Sequence, residues 1–518
     1  MKTNNVFQID FEAVEKEVKA YEKTQSELLN IEQERIEQWV DKNPTSFHKN
    51  QRATTTVLFG GLTLMQDAFI QAACQGIGYQ FKALDCPDNQ SMQVGKEFGN
   101  RGQCNPTYFT VGNLVKFLIH LRDAEGIATE DIIENYIFTT AGACGPCRFG
   151  LYVTEYRKAL RDAGFDGFRV LLFESKGGVN QGSDELGLDF NKTFFKAMFK
   201  AIILGDVVNL MGYRLRPYEK KQGEVNDVLT QVKTLIIEKL LENKNVMPAL
   251  KQSKKLIDAI ELDRLQVRPK VSVIGEFWAM TTEGDGNYHL QKFLEKEGAE
   301  VDSQPVTNWT LYMIWAVDYD LRQQLKLSIP IKQRLSIYKK RLMLKLANIV
   351  MMNWFNRYAK AIGLEDYHLA DMDSLAEDSH EYYSNELRGG EGHMEVGKLI
   401  QSVKYKKSHL VLSVKPFGCM PSSGVSDGVQ ALVTSQYPDT SFLAIETSGD
   451  GAVNVYSRIQ MALFKARQLA EQDLQVSMGE SSLMELQQRI DKNALPSSWY
   501  PKHRCASTAA NAVYSLTT

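Results

Sequence analysis

Seven cysteines stand in 518 residues, and two of them form Cys144-Gly-Pro-Cys147, a spacing that suits either dithiol exchange or metal ligation. Cys104 in Gly102-Gln-Cys-Asn-Pro-Thr107 and Cys419 in Pro416-Phe-Gly-Cys-Met-Pro421 share with Cys144 a proline two positions on. Proline at a helix start forfeits no hydrogen bond and has its φ already set, so each of these thiols is expected just outside a helix N-terminus. The unpaired N–H donors and partial positive charge there favour the anionic sulfur that a metal needs. Cys104, Cys144, Cys147 and Cys419 are therefore the candidate metal ligands.

Four thiolates suit a structural zinc or a four-iron iron–sulfur cluster. Structural zinc usually takes two close pairs, whereas here one Cys-x-x-Cys joins lone cysteines 40 residues upstream and 272 downstream. Ligands gathered from separate segments favour a cluster at a domain junction, where surrounding protein can tune its potential. A Cys144–Cys147 dithiol remains open as a reading, as does zinc, but the dithiol leaves Cys104 and Cys419 without a role. Cys86, before Pro87, is the reserve ligand; Cys74 reads as packing and Cys505 as inert. Arg148 and Arg101 flank Cys147 and Cys104, where a cation could balance cluster charge or bind an acidic substrate group.

These loops need elements to position them. Thr54 to Phe59, Tyr136 to Thr140, Phe168 to Phe173, Lys270 to Trp278, Glu300 to Val306, His409 to Val414 and Phe442 to Glu446 read as buried strands alternating with helices. That alternation predicts an α/β fold with several parallel-sheet lobes of flavodoxin or Rossmann type and helical insertions. Such sheets put their ligand crevice beyond the carboxyl ends of the strands. The predicted organisation is a helical arm over 1–52, an α/β region over 53–265 with Cys104, Cys144 and Cys147, a second over 266–480 with Cys419, and a weakly periodic tail over 481–518. A long helical stretch is expected from about Thr310 to Ile362. Thr282-Glu-Gly-Asp-Gly286 and Thr447-Ser-Gly-Asp-Gly451 echo one another and read as turn chemistry first, ligand contacts second.

With 60 Lys and Arg against 63 Asp and Glu, the chain has no overall basic field, which argues against nucleic acid or anionic lipid as a partner. No apolar run approaches the roughly 20 residues of a membrane span, and the expected setting is cytoplasmic. Gly392-His-Met-Glu-Val-Gly-Lys-Leu399 nearly spells a phosphate-binding loop but has Leu399 where Ser or Thr must hold magnesium. None of the eight histidines makes a metal or catalytic pair, and His393 and His409 read as structural or surface groups.

At Gly99 to Asn113, Ala143 to Gly150 and Lys415 to Pro421 the sequence resembles the 2-hydroxyacyl-CoA dehydratase and double-cubane-cluster superfamily. The resemblance is to the cluster-bearing C-terminal region of acyl-CoA dehydratase activase-related proteins, and runs from about Thr54 to Gln468. It implies a 4Fe-4S cluster, or a double cubane, at the junction of flavodoxin-like lobes, with Cys104, Cys147 and Cys419 matching the marker loops better than Cys144. It further implies low-potential electrons from a separate ATP-hydrolysing iron–sulfur activator, an acyl-CoA or other small substrate, anaerobic metabolism, and a homo- or heterodimer. Four cysteines closing one cluster would favour electron transfer, whereas three would leave an iron open to substrate.

Overall fold

The computed structural model describes residues 11–28, 45–142, 147–173, 187–387, 392–438, 440–493 and 495–517. The chain forms two compact units, Met1–Asn43 and Pro44–Thr518. In the first, the described residues make one amphipathic helix, Phe11–Leu28.

The second unit holds two four-stranded sheets. β1 (Thr56–Phe59), β2 (Phe81–Ala83), β3 (Tyr136–Ala141) and β4 (Arg169–Phe173) line up as β2-β1-β3-β4. β5 (Lys270–Gly275), β6 (Glu300–Ser303), β7 (Leu410–Pro416) and β8 (Phe442–Thr447) repeat the pattern as β6-β5-β7-β8. Every pairing is parallel. The cause is in the strands: helices cover both faces of a parallel sheet, so its strands carry continuous rather than alternating apolar residues. In β7 all seven residues are buried, with Leu412 and Val414 packed on one side and Val411 on the other. The strand order reverses between β1 and β3 and between β5 and β7, which opens a crevice at the carboxyl end of each pair.

Helices Lys192–Leu215, Glu224–Leu241 and Met247–Asp258 join the sheets. Helices Val306–Leu325, Ile331–Ile362, Met372–Ser379 and Gly392–Lys404 fill the crossover from β6 to β7. Two sequence expectations change here. The long helical stretch is interrupted at 326–330, because Pro330 fixes its own φ and disfavours helix in the residue before it. β5 stops at Gly275 rather than running to Trp278. Gly275 has φ +131°, and a Cβ there would lie 2.0 Å from the Val414 carbonyl oxygen, so only glycine lets β5 meet β7 so closely. Glu276 then caps the Phe277–Thr281 helix by accepting from the Ala279 N–H at 2.8 Å.

The C-terminal segment is more ordered than its weak periodicity suggests. Helices Leu483–Asn493 and Thr508–Thr517 bury Leu486 and Val513 against Leu265 and Leu474. Among the described residues no helix is long and apolar enough to cross a membrane.

Candidate functional site

The loops that follow the strands of one sheet meet those that follow the strands of the other. After β1, the Leu64 N–H donates to Glu283 at 2.6 Å; after β2, the Asn89 N–H donates to Asp285 at 2.8 Å. Phe109 packs its ring 5.6 Å from that of Trp278. Both Gly-Asp turns lie on this seam. The Gly284 backbone sits against the Cys86 sulfur, and Gly449 against the Met92 sulfur. The amides of Ser448, Gly449 and Gly451 all donate to the Tyr288 hydroxyl, at 2.9, 3.1 and 3.3 Å, so the second turn is satisfied within the protein.

The loops that carry two of the candidate thiols meet on the same seam. Cys104 has extended backbone and precedes the Asn105–Asp123 helix, with Pro106 in its first turn as the sequence predicts. Its buried sulfur lies 3.0 Å from the Tyr152 hydroxyl and 3.2 Å from the Thr107 hydroxyl. The next residue locks the loop to the other sheet: the Asn105 N–H donates to the Phe417 carbonyl at 2.9 Å, and its side-chain amide to the Thr447 carbonyl at 3.1 Å. Gly418 has φ +77°, and a Cβ on it would stand 3.2 Å from Cys104 Cα. The backbones on either side of Cys104 and Cys419 are therefore in direct contact.

Cys147 arrives from β3. It precedes a short 3-10 turn, Arg148–Leu151, that continues into the Tyr152–Asp162 helix. Arg148 donates to the Gly102 carbonyl, two residues before Cys104, and Tyr152 meets the Cys104 sulfur. The Cys147 segment is thus drawn onto the Cys104 loop from both ends of its turn. Cys144 lies outside the described residues. Arg101 is exposed. Cys86 faces Thr282, 3.8 Å from its hydroxyl, and Gly284. Cys74 packs against the Met198 sulfur, and Cys505 bonds within its own turn to Asn511 and the Ser507 carbonyl.

Several polar groups at this seam were not singled out in the sequence. At Cys419, which was singled out, the expectation of a favoured anionic sulfur is reversed: burial pushes the thiol up to about 12, the carboxylates of Glu276 and Glu395 add to the shift, and contacts with Ser422 oppose it. Burial likewise holds the Glu276 carboxyl above the usual carboxylate range, although the Ala279 and Trp278 amides oppose it. Tyr152 titrates well above an ordinary phenol because of burial and then the adjacent Cys104. Glu395 is buried and accepts from the Ser422 hydroxyl at 3.3 Å. Lys415, also buried, lies one residue beyond Val414, the β7 partner of Gly275. Downstream of Cys419 the helix widens to a π-turn over Val425–Gln430, where Gln430 is fully buried and neither polar atom of its amide has a partner among the described residues. Such turns recur at functional sites. The signal that could have found Glu276 is a lone acid directly after Gly275 at the end of an apolar strand; Tyr152 and Glu395 had none, because helical periodicity does not tell which face meets a thiol.

Beside Glu276 a cleft is lined by Gly275, Phe277, Trp309, Met394 and Glu395, with the Phe277 and Trp309 rings 4.9 Å apart. His393 packs between Tyr312 and Trp315, and His409 bonds to the Lys270 N–H and to Asp473, so both are structural as the sequence suggests. The segment resembling a phosphate loop enters its helix at Gly392, whose Cα faces the Tyr383 ring.

No protein-family model matches the chain, and no curated protein matches it.

As to metal, the described residues contain no group of three His, Cys, Asp or Glu side chains placed to hold an ion. Cysteine sulfur is the ligand type that an iron–sulfur centre takes. The described cysteines are carried on loops that touch, hydroxyls lie within hydrogen-bond distance of Cys104, and the Gln430 amide that follows Cys419 is buried with no partner among the described residues.

Proposed function

We propose that the chain is an iron–sulfur redox protein resembling components of the 2-hydroxyacyl-CoA dehydratase and double-cubane superfamily, with flavodoxin-like lobes that share the centre. The observation that carries this reading is the interlock of the Cys104 and Cys419 loops from opposite sheets, with Arg148 and Tyr152 drawing the Cys147 segment onto the first of them.

Cys104, Cys144, Cys147 and Cys419 would hold the cluster, which when bound supplies low-potential one-electron transfer and, where an iron keeps an open position, activation of a thioester carbonyl. The chain's own groups have separable tasks. The Tyr152 and Thr107 hydroxyls lie within hydrogen-bond distance of the Cys104 sulfur and the Ser422 backbone amide faces Cys419, contacts that would lower the electron density on a ligating thiolate. Glu276 keeps its proton at a higher pH than an ordinary carboxyl and is the group at the crevice suited to hold or release one. The Phe277–Trp309 pair lines an apolar cleft beside it that suits an acyl chain and excludes water. Electrons would come from a separate ATP-hydrolysing iron–sulfur activator.

Anaerobic purification with iron and sulfide analysis, followed by paramagnetic resonance of the reduced protein, tests this. The expected result is a brown protein that dithionite bleaches, with the resonance lost in Cys104→Ser, Cys147→Ser and Cys419→Ser. One zinc with no labile sulfide would overturn the reading, as would a metal-free chain with a reversible Cys144–Cys147 disulfide.

A further inference from the structure

The helix Ile331–Ile362 packs on the body mainly through its second half, where Met351, Phe355, Ala359 and Ile362 are buried. Its first half keeps only Ile337 buried, and Arg341 is tied to Asp318 at 2.8 Å. The opposite face is apolar and open to solvent. Ile331 is 79% exposed, Leu335 64%, Leu342 60%, and Tyr338, Leu346 and Ile349 more than half. At about 100° per residue these six fall within an arc of roughly 80° and run for about 27 Å along the helix. A stripe of this size on the outside of a helix is not an accident of composition; soluble surfaces scatter such residues singly.

The charge around the stripe narrows what covers it. From Ile331 to Gly363 there are eight Lys and Arg and no Asp or Glu, although the whole chain is nearly balanced. Lys332 and Lys339 border the stripe on one side, Arg334 and Lys345 on the other, and Lys340 stands behind. Lys332, Lys339, Lys340 and Lys345 are exposed, and none has an ion-pair partner among the described residues. A second copy of this face would bring like charges together. A partner helix of defined register is ordinarily selected by charges of both signs beside the seam, and acids are missing here. A continuous field of negative charge demands no register.

From this we infer that the outer face of the Ile331–Ile362 helix docks the protein on an anionic lipid bilayer, lying in the headgroup plane with its apolar stripe in the acyl boundary and its lysines on lipid phosphates. The low net charge of the chain conceals this patch because acids elsewhere cancel it.

The test is flotation of the full chain with vesicles of phosphatidylcholine alone or mixed with phosphatidylserine. Binding is expected only to the mixed vesicles, falling as salt is raised. The pairs Lys339→Glu/Lys340→Glu and Leu335→Ser/Leu342→Ser should each weaken it about tenfold or more. Lys251→Glu/Lys255→Glu, on exposed positions of another helix, should leave it unchanged. All of these side chains are exposed, and unaltered circular dichroism melts would show that the fold is intact. Absence of the chain from the mixed vesicles would overturn the inference, as would full binding by both stripe variants. A dimer that disperses in Leu335→Ser/Leu342→Ser without any lipid binding would assign the face to a second copy instead.

Discussion

Asp67 shows how one side chain at the seam makes stability depend on pH. It is buried behind the Gly60-Gly61 turn that follows β1, and one of its carboxylate oxygens has no partner among the described residues. Burial pushes its pKa up to about 7, and the nearby Glu283 adds to this; the Gly61 and Leu62 amides oppose it. Between about pH 4 and 7 the folded chain therefore keeps a proton that the unfolded chain has released, so stability falls as pH rises through that window. Asp67→Asn removes the dependence. The variant should be more stable than the parent at pH 8, by on the order of a few kcal/mol, and gain little at pH 4, as read from urea midpoints at the two values. A second residue-scale expectation concerns Gly418. Alanine there meets both the positive φ and the Cys104 Cα at 3.2 Å, so Gly418→Ala should cost roughly 1–3 kcal/mol and loosen the thiol loops, raising the rate at which Cys104 is alkylated in the folded protein. The cysteine loops were legible in the sequence because Cys-x-Pro reports a local backbone event. Glu276 left only its place after Gly275 as a trace, and Tyr152 left none, because what marks it is a neighbour supplied by another segment.

Among the elements, the helices Asn89–Phe98 and Asn105–Asp123 cross so closely that glycine is required on both sides. A Cβ on Gly95 would be 1.9 Å from the Tyr108 carbonyl oxygen, and one on Gly112 1.8 Å from the Ser91 carbonyl oxygen. Within an isolated helix, glycine to alanine is stabilising by up to about 1 kcal/mol. Here the sign should reverse: Gly112→Ala is expected to destabilise by roughly 2–4 kcal/mol, because two backbones must separate and the core between them opens. Thermal melts of Gly112→Ala beside an alanine at exposed Gly126, which has positive φ but nothing within 4 Å, separate crowding from backbone preference. This crossing sets the entry angle of the helix that carries Cys104. Strand positions were readable in advance from their apolar β-branched runs, whereas the crossing was invisible, since two glycines in helical sequence look like weak points until their partner is known.

For the molecule as a whole, the C-terminal segment is a brace for the second sheet. Glu300 opens β6 and is buried with Lys270, 3.2 Å away at the start of β5. Tyr500 and Thr508 donate to Glu300 at 2.8 and 2.6 Å, and Tyr218, from the helical connection between the sheets, donates at 2.7 Å. Lys270 and these hydroxyls hold the Glu300 carboxyl below the usual carboxylate range despite its burial. Ending the chain at residue 495 removes two of the three hydroxyl donors and leaves a buried ion pair short of hydrogen bonds. Loss on the order of 3–5 kcal/mol is expected, confined to the second sheet and its helices. Limited proteolysis should then cut first near β6 and β8, while the region around β1 to β4 stays protected; uniform protection would show that the brace contributes nothing.

The sequence by itself determined that this chain is α/β with parallel strands, that its strands end in glycine- and cysteine-bearing loops, and that Pro106 and Pro421 sit where helices begin. Those features follow from steric and hydrogen-bonding preferences that act within a few residues. Tertiary structure decided that the Cys104 and Cys419 loops touch, that Gly275 turns Glu276 toward the crevice edge, and that the last helix closes on β6. Each of these depends on contacts between segments hundreds of residues apart, whose favourable burial overcomes the entropy of bringing them together only once both sheets have formed.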